Sequence, residues 1–99
     1  MRLTEYQIKN IKAIVQETLG PGASVTVFGS RADDRKKGGD LDLLIQTART
    51  VERPAWTSAT LSARISKIMH GLNVDVVLQS PATKVSPIHR IARETGIRI

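Results

Sequence analysis

Asp40-Leu41-Asp42-Leu43-Leu44-Ile45-Gln46 sets two acids at the head of a run of large aliphatic side chains. Side chains alternate faces along a strand, so Leu41, Leu43 and Ile45 share one face, and Asp40, Asp42 and Leu44 share the other. At ~3.3 Å per residue the two aspartates stand about 7 Å apart at Cα. Their carboxylates can then converge on a pair of metal ions ~3.5–4 Å apart. Aspartate is depleted in strands. Two ionised carboxylates on a half-buried face repel each other and are costly unless a cation or hydrogen-bond donors compensate. A plainer reading also fits: Asp40 ends a loop and Asp42 faces water on an edge strand.

Two further stretches bear on that choice. Asp75 interrupts Val74-Asp75-Val76-Val77-Leu78, otherwise a buried-looking strand, so it lies either on an exposed edge or in a cluster of charges. Three carboxylates on neighbouring strands suit Mg²⁺, a hard cation that binds a few carboxylates and completes its shell with substrate phosphates. Upstream, Val27-Phe28-Gly29-Ser30-Arg31 runs from a strand into a glycine. A glycine there lets the backbone approach a ligand closely, the serine supplies a hydroxyl, and local N–H groups can form an anion-binding nest. A hairpin-like return would bring Gly29-Ser30 beside Asp40 and Asp42.

Around these stretches the spacing predicts a helix over 4–19, with Ile8, Ile11, Ile14, Val15 and Leu19 at helical intervals and Thr4 and Gln7 spaced as a capping box. Gly20-Pro21-Gly22 stops it. Strands are expected at 25–28, 41–46 and 73–79, and a polar loop at 29–39. The segment 47–53 is a connection closed by Pro54. A second helix is expected at 56–70, with Leu61, Ile65, Ile68 and Met69 on one face. Ser86-Pro87 opens a short last helix with Ile88, Ile91 and Ala92 inward, closed by Gly96. The tail Ile97-Arg98-Ile99 alternates and can pack or pair. The order α-β-loop-β-α-β-α over 1–99 describes one α+β domain, without repeat or internal boundary.

Composition narrows the classes. The 99 residues carry a net charge of +6, 40% hydrophobic residues and no cysteine. That is ordinary globular usage. It excludes a disulfide scaffold, a thiol nucleophile and a zinc–thiolate site. No run approaches the ~20 apolar residues of a membrane span, and Met1-Arg2-Leu3-Thr4-Glu5 opens no apolar signal segment. The expectation is a cytoplasmic domain with no membrane partner. Excess positive charge attracts phosphates. One Phe, one Trp and one Tyr are too few to stack single-stranded bases, so direct nucleic-acid binding is not expected. His70 and His89 read as surface or capping residues, and Trp56 as core or interface packing. Asp33-Asp34 reads as turn chemistry. Arg90 and Arg93 fall on the outer face of the last helix, where an acidic partner could meet them.

Gly29-Ser30, nine intervening residues, Asp40-Leu41-Asp42-Leu43 and a later strand Asp75 resemble the nucleotidyltransferase superfamily of DNA polymerase β. The size resembles its minimal branch, the MNT proteins, often paired with HEPN-domain partners. The resemblance implies a small mixed sheet in sequential strand order, flanked by helices. It implies that Gly29 and Ser30, with Arg31 beside them, hold a nucleoside triphosphate such as ATP. It further implies that Asp40 and Asp42 are ligands of two Mg²⁺ ions, and that Asp75 is the third catalytic carboxylate and binds the catalytic metal. Relatives read Gly-Ser-Arg-Ala-Arg-Gly and then Ser-Asp-x-Asp. Here Asp33-Asp34 replace the Arg-Gly, and Gly39 replaces the serine, leaving Arg31, Arg35, Lys36 or Lys37 to supply a cation. Three functions stay open. The first is an antitoxin that transfers AMP to a tyrosine of a HEPN-type toxin partner, in a homo- or hetero-oligomer. The second is a nucleotide-binding module that neutralises such a partner by covering it. The third is transfer to a small molecule such as an aminoglycoside, with a partner supplying the acceptor site.

Overall fold

The computed structural model describes residues 3–32 and 39–99. Its elements are α1 (Glu5–Leu19), β1 (Ser24–Phe28), a 3₁₀ turn (Gly29–Ala32), β2 (Leu41–Gln46), α2 (Pro54–Ile68), β3 (Val74–Gln79), α3 (Pro87–Thr95) and β4 (Ile97–Arg98). Helix α1 starts where the sequence places its cap. Thr4 Oγ1 accepts from the Gln7 N–H at 3.1 Å, and Gln7 Oε1 accepts from the Thr4 N–H at 3.0 Å. Together they satisfy two donors that a helix start leaves orphaned. Helix α2 starts at Pro54, two residues earlier than the periodicity indicates. Proline at a first helical position loses no hydrogen bond, so the residue that looked like the end of a connection is the start of the helix.

The four strands lie in the order β3-β2-β1-β4. Strand β1 is antiparallel to β2 and to β4, and β2 is parallel to β3, with α2 as the crossover that parallel strands require. One face carries the main core. There Val25, Val27, Leu41, Leu43, Ile45, Val74 and Leu78 pack against Ile11, Val15 and Leu19 of α1 and Leu61 and Ile65 of α2. The Ser66 hydroxyl donates to Leu72 O at 2.6 Å and the Ser62 hydroxyl to Val74 O, fastening α2 to the approach and start of β3. The other face has a smaller core, in which Phe28, Leu44 and Ala92 pack with Val77 beneath α3.

The tail pairs as a fourth strand, one of the two outcomes its alternation allows, with Thr26 opposite Arg98 and Val27 opposite Ile97. Two expectations need correction. Of the two places read for Trp56, core or interface, the core is excluded: it is 58% exposed, and the Arg53 guanidinium lies 5.2 Å from its ring centre. Ile88 and Ile91 point outward, 44% and 52% exposed, while His89 and Ala92 take the inward positions of α3. The last has a local cause. His89 Nδ1 accepts from the Ser86 N–H at 3.0 Å, so the imidazole is held against its own helix start. The helix then meets β1 along its smallest residues. A Cβ added to Gly96 would lie 2.5 Å from Thr26 Cγ2 and 2.8 Å from Val27 O.

Candidate active site

The acids sit on the sheet face that α3 covers in part. In the parallel pairing of β2 and β3, Asp42 and Asp75 are direct register partners, so their side chains leave the same face side by side. Asp40 lies two residues before Asp42, immediately ahead of β2. Asp42 is half-buried, whereas Asp40 and Asp75 are exposed, Asp75 on the edge strand of the sheet. Asp75 thus lies on an exposed edge, as one of its two sequence readings has it, with Asp42 as its register partner. Across β1, Phe28 pairs with Asp42, which brings the start of the 3₁₀ turn against the acids.

Gly29 shows why that position carries no side chain. Its φ is +74°, in the left-handed region that glycine adopts without strain. A Cβ on it would lie 3.3 Å from Asp42 Cγ and would strike the carboxylate oxygen Oδ2. The close approach expected for a ligand is thus already made by the Asp42 carboxylate. From the sequence, Gly29 could be tied to a turn but not to a particular acid. Arg31 Nη2 donates to Gly39 O at 3.4 Å, linking the 3₁₀ turn to the segment that enters β2. Of Ser30 only the backbone is described, within the turn. Asp33, Asp34, Arg35, Lys36 and Lys37 lie outside the described residues.

Burial raises the pKa of Asp42 above its ordinary 3.8, and the negative charges of Asp75 and Asp40 push it further. A hydrogen bond between the Asp42 and Asp75 side chains acts in the same direction. Asp42 therefore resists ionising beside the other two acids, and oxygen donors of this kind suit a hard divalent cation. Among the described residues, however, no three acidic or imidazole side chains are gathered closely enough to hold a metal ion as they stand. A cleft of about 480 Å³ lies at the other end of the same face and is lined by Ser24, Gln46, Gln79, Ser80 and Arg98. No helix among the described residues is long and apolar enough to cross a membrane.

Residues 8–98 match the family model of the nucleotidyltransferase domain, and the chain belongs to that family. Its α+β architecture is the polymerase β-like nucleotidyltransferase fold. The chain superposes on solved structures of toxin–antitoxin complexes. One is the tri-AMPylated Shewanella oneidensis HEPN toxin in complex with MNT antitoxin (TM-score 0.67, 14% identity, 97% of this chain and 71% of that chain). Another is the toxin–antitoxin MntA–HepT (TM-score 0.64, 14% identity, 96% of this chain and 70% of that chain). The chain also superposes on a further crystal structure from Shewanella oneidensis, at TM-score 0.67 and 12% identity, over 97% of this chain and 71% of that chain. At these identities the likeness is one of fold. No curated protein matches the sequence.

Proposed function

We propose that this nucleotidyltransferase-domain chain moves a nucleotide, AMP from ATP, onto a hydroxyl of a HEPN-type partner protein, and so serves as the antitoxin of a toxin–antitoxin pair. The observation that carries the transfer reading is the pairing of Asp42 with Asp75 on adjacent parallel strands, with Asp40 acting on the same charge and Gly29 pressed against it. The nature of acceptor and nucleotide is supported by the shared fold with the chain from a complex that contains an AMPylated HEPN toxin.

In the reaction the acceptor oxygen bonds to the α-phosphorus, the bond to the β-phosphate breaks, and pyrophosphate leaves. Asp40, Asp42 and Asp75 would hold two Mg²⁺ ions, which supply charge neutralisation for the triphosphate and acidify the acceptor hydroxyl. Gly29 keeps the Asp42 carboxylate and the phosphates free of a blocking side chain. The backbone N–H groups of the 3₁₀ turn, with Ser30 and Arg31, orient the triphosphate for in-line attack. Asp75, on the open edge, takes up the proton of the incoming hydroxyl.

α-Labelled ATP, Mg²⁺ and a HEPN-domain protein from the same genome test this. The wild-type chain transfers label to the partner, and Asp42→Ala, with an unchanged circular dichroism spectrum, does not. Label transferred by Asp42→Ala at the wild-type rate removes the assignment. Asp33-Asp34, standing where relatives read Arg-Gly, remove a cation near the phosphates and favour a second reading: a module that covers the partner without turnover. In that case the wild-type complex forms and no label moves.

A further inference from the structure

We infer that the outward flank of α3 is the docking surface for the protein that carries the acceptor hydroxyl, an inference that rests on the transfer reading above. Ile88 and Ile91 lie three residues apart on one flank of the helix, 44% and 52% exposed, and Val85 just ahead of it is 54% exposed. β-Branched residues are mediocre helix formers, and here they bury little in return. Their neighbours His89 and Ala92 are buried, and Ala92 packs on the sheet. Exposed Arg90 and Arg93 lie on the opposite flank.

The position of the stripe identifies its occupant. Helix α3 packs on Leu44, Phe28 and Val77, each on the face that carries Asp42 and Asp75. Leu44 is two residues from Asp42 and Val77 two from Asp75, about 7 Å along the strands. A hydroxyl that reaches the α-phosphate over these acids must come from the same side. A protein bearing it therefore lies against α3. Exposed aliphatic side chains beside the acid-bearing face fit an apolar patch on that protein. A second copy of this chain carries the same +6 charge, which opposes its approach. Three side chains fall well short of the ~800 Å² per partner of a standard interface, so they are its anchor and not its full extent.

The experiment uses the whole chain and a HEPN-domain protein from the same genome. Affinity is measured by fluorescence anisotropy for the wild type, for Ile88→Glu combined with Ile91→Glu, and for Tyr6→Ser, whose side chain is 76% exposed on the α1 side of the sheet. Both exposed-site variants are checked for wild-type melting temperature, and calorimetry follows their binding of Mg²⁺ and a non-hydrolysable ATP analogue. The double substitution is expected to weaken partner binding at least ~10-fold while leaving nucleotide binding unchanged, and Tyr6→Ser to alter neither. Partner binding undisturbed by the double substitution, or a wild-type chain that binds no HEPN protein, overturns the inference. So does sedimentation showing that the chain alone is a dimer made monomeric by the same two changes, since the occupant is then a second copy. Binding lost without any label ever being transferred upholds the surface and refutes the transfer reading instead.

Discussion

Gly29 and Asp42 form one unit, because the backbone of one occupies the space beside the carboxylate of the other. Replacing Gly29 with alanine forces a Cβ into the left-handed region, at a cost of roughly 1–2 kcal/mol, and drives the Asp42 carboxylate off its place. For a domain of this size each kcal/mol lowers the melting temperature by about 4–8 °C. Gly29→Ala is expected to melt earlier by that order and to lose nucleotide transfer, with retained secondary structure by circular dichroism. Asp42 also carries a pH signature. Its proton is held more tightly in the folded than in the unfolded chain. The contribution to stability is therefore complete below pH 3.8 and is lost as pH rises through the higher folded value. Melting curves of the metal-free chain should show that loss, and Asp42→Asn should flatten it across the same window. An equally steep profile in Asp42→Asn would place the titrating group elsewhere.

The elements were unevenly legible. Periodicity exposed α1, α2 and the three longer strands, because each buries a full face against the main core and its apolar residues recur at the matching interval. The face shared by Asp42 and Leu44 was legible from alternation alone, and the parallel register with β3 then set Asp75 beside Asp42. Helix α3 was read with the wrong face inward because hydrophobicity does not register a histidine buried by its own cap, nor an alanine and a glycine selected for close approach. Strand β4 was visible only as alternation over three residues, too short to distinguish pairing from packing. In the site, the residue types and spacing were legible, but the contact between Gly29 and Asp42 was not, since it depends on how the turn after β1 closes. The reading of α3 has a direct check. His89→Ala removes the acceptor for the Ser86 N–H and empties a buried position, at about 1–3 kcal/mol. Hydrogen exchange should then quicken first across 87–95, ahead of α1 and α2; uniform acceleration would mean that α3 is not separately anchored.

At the scale of the molecule, the two faces of the sheet have different tasks. The α1–α2 face holds the larger core and supports the strands, while the other face leaves its acids open beside a single short helix. On the proposed function, ligand binding on that open face would add stability that the thin cover does not supply. A ligand at 100 times its Kd contributes about 2.7 kcal/mol through mass action. At about 4–8 °C per kcal/mol, that is an upward melting shift on the order of 10–20 °C. Mg²⁺ with a non-hydrolysable ATP analogue is expected to produce it in the wild-type chain. The analogue with a chelator should produce little, because Asp40, Asp42 and Asp75 then repel the triphosphate instead of binding it through cations. Asp42→Ala should lose the Mg²⁺-dependent part. A shift of equal size with and without Mg²⁺ would show that the nucleotide is held by the positive charge of the chain and not by the acids. A complete lack of shift, in a chain that still binds its HEPN-type partner, would favour the covering module over the transferase.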